Sequence, residues 1–242
     1  MNALSITLWA AGPIHLPLAY NALVQGALYD NWRETLPKLH DEGYSDGLHR
    51  FRMFTFGPLQ GRYRVRGKQI FFEGAVRLEV RSPVSELVDA LCDGLQKRGA
   101  MLLGRNELPV ISLESADRLL FSRHASIQTL SPVTVHETGV NGKTVYYSPE
   151  DEMFLPLLAG NLGSKLRAIG IPAAPVLSCV PAARTLRKRV TTFKGTYVTA
   201  YEGRFELRAE PEAMALLYYA GLGSRSSQGF GMFAIEDRKQ QA

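Results

Sequence analysis

The sequence predicts an α+β fold: two ferredoxin-like, RRM-like β-α-β-β-α-β domains in tandem, ending in a glycine-rich loop. Three observations predict it. Segments of apolar period two and of period 3.6 follow one another in that order, and then do so again. Four glycines stand as two G-x-G pairs between a helical and an extended segment in Gly221–Gly231. The 242 residues suffice for two small domains.

Leu4, Ile6 and Leu8 alternate with Ser5 and Thr7, a strand with one buried face that Gly12-Pro13 is expected to break. Tyr20, Leu23, Val24, Ala27, Leu28 and Trp32 then fall on one stripe of a helix limited by Pro37. Residues 51–56 read as an aromatic-rich strand opened by Arg52, and Val76, Leu78 and Val80 mark another. Ser82-Pro83 supplies an N-cap and an N1 proline for a helix with the stripe Val84, Leu87, Val88, Leu91 and Leu95, stopped by Gly99. A strand near 101–103 or 110–113 completes the first set.

The second set has the same order of elements and no sequence repeat. Residues 126–135 read as extended. Ser148-Pro149 opens a helical stretch reaching Gly170 with a kink at Pro156. Tyr197, Thr199 and Tyr201 form a hairpin with Phe205 and Leu207 across Glu202-Gly203. A helix from Glu210-Pro211 to Ala220 and a strand over 230–235 follow. The domains are thus 1–118 and 119–242.

Composition is that of an ordinary globular protein, 45% hydrophobic and 21% charged. The first 29 residues carry no Asp, Glu, Lys or Arg, yet polar residues and prolines interrupt the apolar run, which argues against a signal peptide or a membrane span. Cys92 and Cys179 make neither a disulfide framework nor a metal site, and fit a reducing cytoplasm. The net charge of +5 and pI of 9.2 favour a polyanionic partner. That excess is concentrated: Arg184, Arg187, Lys188, Arg189, Lys194, Arg204 and Arg208 face only Glu202 and Glu206 in their stretch, a candidate phosphate footprint or else a solvated face.

Gly221, Gly223, Gly229 and Gly231 enclose Arg225 and hydroxyl or amide side chains, with no carboxylate. Such a turn can present its N–H groups to a phosphate, or can simply permit tight packing. It runs helix to strand, so it is neither a dinucleotide fingerprint nor a P-loop, and a nucleic-acid backbone is the better ligand. None of the five histidines has zinc spacing and no acidic cluster resembles a two-metal centre. Phosphodiester cleavage without metal or other cofactor would use the ribose 2′-OH of RNA as nucleophile, with a base and a cation supplied by the protein. His40, in a polar segment after the first helix, is the candidate base, with His49 its rival; Tyr29, beside the apolar stripe, and Arg52 are the candidate partners. Each also has an ordinary structural reading: a surface histidine, a half-buried tyrosine, a surface arginine.

Together, the segments 17–29, 39–43, 53–56, 130–133 and the glycine-rich loop resemble, in the same order, the CRISPR-associated repeat-processing endoribonucleases, the Cas-six branch of the RAMP superfamily. The resemblance implies tandem ferredoxin-like domains and CRISPR repeat RNA, precursor and mature guide, as the partner. It implies metal-independent cleavage leaving a 5′-hydroxyl and a 2′,3′-cyclic phosphate. Other effector subunits or a second copy of the chain are further partners it allows, and a non-catalytic RNA-binding subunit is the alternative. The family's tyrosine, histidine and lysine fall at Tyr29, His40 and Arg52; arginine in the last place is a departure, able to hold phosphate charge but poor as a proton donor.

Overall fold

The computed structural model describes residues 1–33, 35–36, 43–116, 119–171, 176–182 and 184–236. The first lobe runs β1 (Ala3–Pro17), α1 (Asn21–Trp32), the short β2 (Tyr44–Ser45), β3 (Arg50–Phe51) and β4 (Thr55–Phe56), β5 (Gln60–Arg66), β6 (Gln69–Arg81), α2 (Ser85–Arg98), β7 (Ala100–Leu103) and β8 (Asn106–Ser115). Its antiparallel sheet has the order β4-β6-β1-β8-β7, with β5 also on β6. Two crossovers, each through a helix, therefore interleave the strands as a ferredoxin-like fold requires. Leu4, Ile6 and Leu8 register against Val80, Leu78 and Val76. They bury one sheet face with Val24 and Leu28 of α1 and Leu87, Leu91 and Leu95 of α2. Gly99 ends α2 in the left-handed conformation at φ 66, its N–H bonded to Leu95 O.

Several local expectations give way to the fold. β1 does not stop at Gly12-Pro13; its register with β6 slips between Ala10 and Ile14, a bulge that absorbs the proline. Residues 51–56 are not one strand, because Met53 takes φ 49 and separates β3 from β4. Arg52 thus sits in a break and opens no strand. Both candidate last strands exist, as the hairpin β7–β8. The Ser82 hydroxyl accepts the Val84 N–H, so Pro83 precedes α2 and is not its first residue.

The second lobe runs β9 (His124–Thr129), β10 (His136–Thr138), β11 (Thr144–Tyr146), α3 (Phe154–Ala168), β12 (Ser178–Pro181), β13 (Arg187–Phe193), β14 (Thr196–Glu202), β15 (Arg204–Arg208), α4 (Pro211–Ala220) and β16 (Phe233–Ile235). The sheet order β12-β15-β9-β16 repeats the first lobe's interleaving. The tandem ferredoxin-like architecture is therefore present. Residues 117 and 118, where the two domains are expected to divide, lie outside the described residues. α3 begins at Phe154, so Pro156 falls in its first turn, where no N–H is needed, and causes no kink. The expected hairpin of β14 with β15 does not form. β14 pairs instead with β13 as a two-stranded ribbon. Its two-residue turn is Lys194-Gly195, both at positive φ, the twist that suits a tight hairpin.

Arg81 ties the lobes together. It is 3% exposed, its Nη1 donates to Phe233 O at 2.7 Å, its Nε to Glu79 at 2.6 Å, and its guanidinium lies 3.9 Å from the Tyr218 ring centroid. Arg81→Met leaves Phe233 O without its donor and Glu79 without its cation. It is expected to lower the unfolding free energy by about 2–4 kcal/mol in urea titrations. A change below about 0.5 kcal/mol would mean that the tie carries no stability.

Candidate functional site

A cleft of about 1060 Å³ opens between the lobes. One wall is the broken segment 48–54; the others are β10, α3 and the glycine-rich loop. Arg50, Arg52, Lys165, Arg167 and Arg225 line it with His49 and His136, against one carboxylate among the described residues, that of Glu137. A polar trough of this sign concentrates anions.

The break at Met53 gives Arg52 its place. Its guanidinium lies close enough to the Tyr29 hydroxyl for its charge to act on that group. Tyr29 is half-buried, with Trp32 and Phe54 edge-on at 6.1 and 5.8 Å. Burial raises the Tyr29 pKa, and the Arg52 charge opposes that rise. Two of the three predicted catalytic residues are thereby brought together. The third, His40, lies outside the described residues. The rival His49 is exposed on the cleft wall, with Nδ1 3.5 Å from Asp46.

Asp46, which sequence reasoning missed, fixes that wall. Its side chain is 1% exposed and accepts the N–H groups of Leu48 and His49 at 3.0 and 2.7 Å and the Arg167 guanidinium of α3 at 3.1 Å. The His49 N–H first, then the Ser164 hydroxyl and the other donors, hold its carboxyl far below the usual range against the opposing pull of burial. The Asp-Gly pair at 46–47 was the available signal.

Lys165 was also missed. It is fully buried on α3, and its ammonium donates to Gly221 O at 2.8 Å, Gly223 O at 2.9 Å, Ser226 Oγ at 3.2 Å and Ala220 O at 3.4 Å. Burial pushes its pKa down to about 7, while the oxygen cage favours the ammonium. A lysine continuing the stripe Phe154, Leu158, Leu162 was visible in the sequence.

The glycines of the loop pack inward. A Cβ at Gly231 would overlap Leu222 O; at Gly223 it would lie 2.6 Å from Thr134 O; at Gly229, 2.6 Å from the Phe56 ring; at Gly221, 2.9 Å from Ser226 Oγ. All four have positive φ. Their missing side chains let the loop close on the protein, whatever ligand its outer surface meets. Asn21 and Gln25 of α1 hold it from the other side, donating to Gln228 O at 3.0 Å and Ser227 O at 2.8 Å. Arg225, itself at φ 57, donates to the Gln228 side chain at 3.2 Å, and its Nε has no hydrogen-bond partner among the described residues. Burial, then the Arg225 charge, lowers the His136 pKa to about 4.

The remaining predicted RNA-binding cations stand elsewhere. Arg187, Lys188 and Arg189 are exposed on β13, Arg189 paired with Glu202, and Lys194 is at the ribbon turn. Arg184, at φ 65, borders a smaller pocket of about 210 Å³ with Pro181 and Leu186. None of these lines the cleft. Among the described residues no group of three or more His, Cys, Asp or Glu could hold a metal ion, and no helix is long and apolar enough to cross a membrane.

Two outcomes follow from this packing. Gly231→Ala forces backbone against backbone at positive φ and is expected to cost about 2–4 kcal/mol of unfolding free energy. Gly26→Ala, within α1 and with nothing within 4 Å of its Cβ position, is expected to stabilise by roughly 0.5–1 kcal/mol. His136 is held neutral, so it contributes stability that is complete above pH 6.5 and lost as pH falls toward about 4, because the unfolded chain takes up the proton first. His136→Gln should flatten stability against pH in that window; an unchanged slope would place the effect on other groups.

The model for "CRISPR associated protein Cas6, C-terminal" matches residues 115–235, half of the chain. A CRISPR-associated endoribonuclease Cas6 of Pyrococcus furiosus is 24% identical over 229 residues, covering 93% of this chain and 85% of that one. Among solved structures, a Cas6-related protein of P. furiosus superposes with a TM-score of 0.84 at 18% identity, covering 98% of this chain and 99% of that one. A RAMP protein described as binding different RNA substrates gives 0.81 at 18% identity, covering 97% and 99%. A Cas6 product complex gives 0.71 at 19% identity, covering 96% and 98%. The chain belongs to the Cas6 family of CRISPR-associated proteins.

Proposed function

We propose that the protein is a metal-independent endoribonuclease that binds CRISPR repeat RNA and cuts the precursor transcript into guide RNAs. The observation that carries this reading is the approach of the Arg52 charge to Tyr29 beside a cation-lined cleft. Gly43 packs directly against Arg52. The P. furiosus relative carries the name endoribonuclease, in keeping with the same activity.

In this mechanism His40 takes the proton of the ribose 2′-OH. The 2′-oxygen forms a bond to the adjacent phosphorus in line as the bond to the 5′-oxygen breaks. The products are a 2′,3′-cyclic phosphate and a 5′-hydroxyl, whose oxygen takes its proton from water while the protonated His40 returns its own to solvent. Arg52 holds charge on the equatorial phosphate oxygens, bidentately where geometry allows. Tyr29, oriented by Arg52, hydrogen bonds a phosphate oxygen or the leaving 5′-oxygen. Its raised pKa keeps the phenol protonated for that purpose. Arg225 and the outer surface of the Gly221–Gly231 loop contact the phosphate backbone in the cleft. The ribbon cations Arg187, Lys188, Arg189 and Lys194, with Arg184, hold RNA beyond it.

The test is cleavage of a repeat RNA in EDTA, beside the same RNA with one 2′-deoxy residue at the cut site. The natural RNA should be cut and the deoxy RNA bound but intact. His40→Ala should slow cleavage by about 10²–10⁴-fold with binding nearly unchanged. Scission of the deoxy RNA, or a requirement for magnesium, refutes the mechanism. Loss of cleavage in His49→Ala with normal cleavage in His40→Ala moves the base to His49. Binding without any cleavage by the wild type identifies a non-catalytic RNA-binding subunit.

A further inference from the structure

Strand β5 is exposed at every one of its seven residues and pairs only with β6 among the described strands. Its sequence, Gln-Gly-Arg-Tyr-Arg-Val-Arg, alternates. The two-residue period places Arg62, Arg64 and Arg66 on one face and Tyr63 and Val65 on the other. On the arginine face the register sets Phe71 opposite Arg64 and His15 opposite Phe71. The Arg64 guanidinium lies 5.8 Å from the Phe71 ring centroid, and the His15 ring meets Phe71 edge-on at 4.6 Å. Lys68 follows at the turn. Glu73 pairs with Arg64 at 3.3 Å, whereas Arg62 and Arg66 make no ion pair among the described residues.

Protecting an open strand edge needs charge, but not three cations of one kind on one face. Alternate residues of an antiparallel strand repeat every ~6.8 Å. That repeat is comparable to the step between phosphates along a stretched nucleic-acid strand. The aromatic ring between the guanidiniums offers a stacking surface that tolerates any base. The hairpin is also joined to the cleft. Leu18 N donates to Lys68 O at 3.0 Å, and three residues later Asn21 holds Gln228 O of the glycine-rich loop.

We infer that the Arg62–Arg64–Arg66 face is a second RNA contact, which holds the sugar-phosphate backbone of the strand leaving the cleft past Ser227 and Gln228. The inference rests on the RNA-binding reading of the cleft and extends it to a surface that the catalytic mechanism does not use. An acidic protein segment would satisfy the charge alone; the stacking ring and the junction with the cleft favour RNA.

The test uses the full chain and two fluorescent RNAs: a complete repeat, and a short fragment centred on the cut site that fills the cleft only. Arg62→Gln/Arg66→Gln should weaken binding of the complete repeat about 10-fold at moderate salt. It should also reduce the slope of log affinity against log salt by about 1.4, as expected for two lost phosphate contacts on a single strand. Affinity for the short fragment, its cleavage rate and the thermal midpoint should not change. Unchanged affinity for the complete repeat, or equal weakening on both RNAs, overturns the inference. The wild type separates this from failure of the underlying reading: a wild type that binds neither RNA refutes both, and one that binds both as tightly as the variant does refutes only the second contact.

Discussion

The geometry of the cleft depends on one buried charge. The Lys165 ammonium enters from α3 and satisfies the Ala220, Gly221 and Gly223 carbonyls and the Ser226 hydroxyl, at the point where α4 ends and the chain turns back toward β16. The last carbonyls of any helix lack intrahelical donors, and here they are buried away from water. A cation with three N–H groups answers several of them at once. Taking an ammonium out of water costs several kcal/mol, so the arrangement holds only because the loop folds its oxygens around it. The loop and the lysine need each other.

That mutual need explains why the loop is rich in glycine. To turn four oxygens onto one nitrogen and still meet β16, the backbone takes positive φ at Gly221, Gly223, Gly229 and Gly231. At Gly231 it passes so close to Leu222 that no side chain fits. Arg225 is in the same region of φ without being glycine. Its strain is balanced by the hydrogen bonds that Asn21 and Gln25 make to the next residues. Those two side chains belong to α1, so the loop formed inside the second lobe also fixes where the first lobe sits. Asp46 does the reverse, reaching from the first lobe to Arg167 on α3. The cleft is what remains between these two cross-links.

Much of the fold was legible because its strongest elements carry their own signals. α2 has an apolar stripe, basic residues in its last turn and Gly99 just after it; α4 has Pro211 at its start. The β13–β14 ribbon was misread for a physical reason. Glu202-Gly203 and Lys194-Gly195 are both plausible turns, and nothing local says that β15 will find β9 and β12 while β14 turns to β13. Strand partnership is a long-range choice made by the buried faces of Phe205 and Leu207. At the site, residue types were readable and distances were not. Tyr29 and Arg52 are separated by 23 positions, and the charge of one reaches the other where Met53 breaks the strand that periodicity suggested. Lys165 could have been noticed as a lone cation on an apolar stripe, but its partners lie 55 to 61 residues away.

The arginine at position 52 fits this scaffold better than a lysine would. A planar guanidinium spreads its charge over several N–H groups that can face different partners, whereas an ammonium is a point charge with no such division. The ring of Phe54 packs edge-on against Tyr29 at 5.8 Å and limits how the phenol can tilt. Arg52 also lies against Gly43, where any side chain would displace it. Both side chains are thus packed by their neighbours before any ligand arrives. Preorganisation of this kind is what electrostatic stabilisation of a charged transition state requires, since a group that must first reorient loses much of its effect.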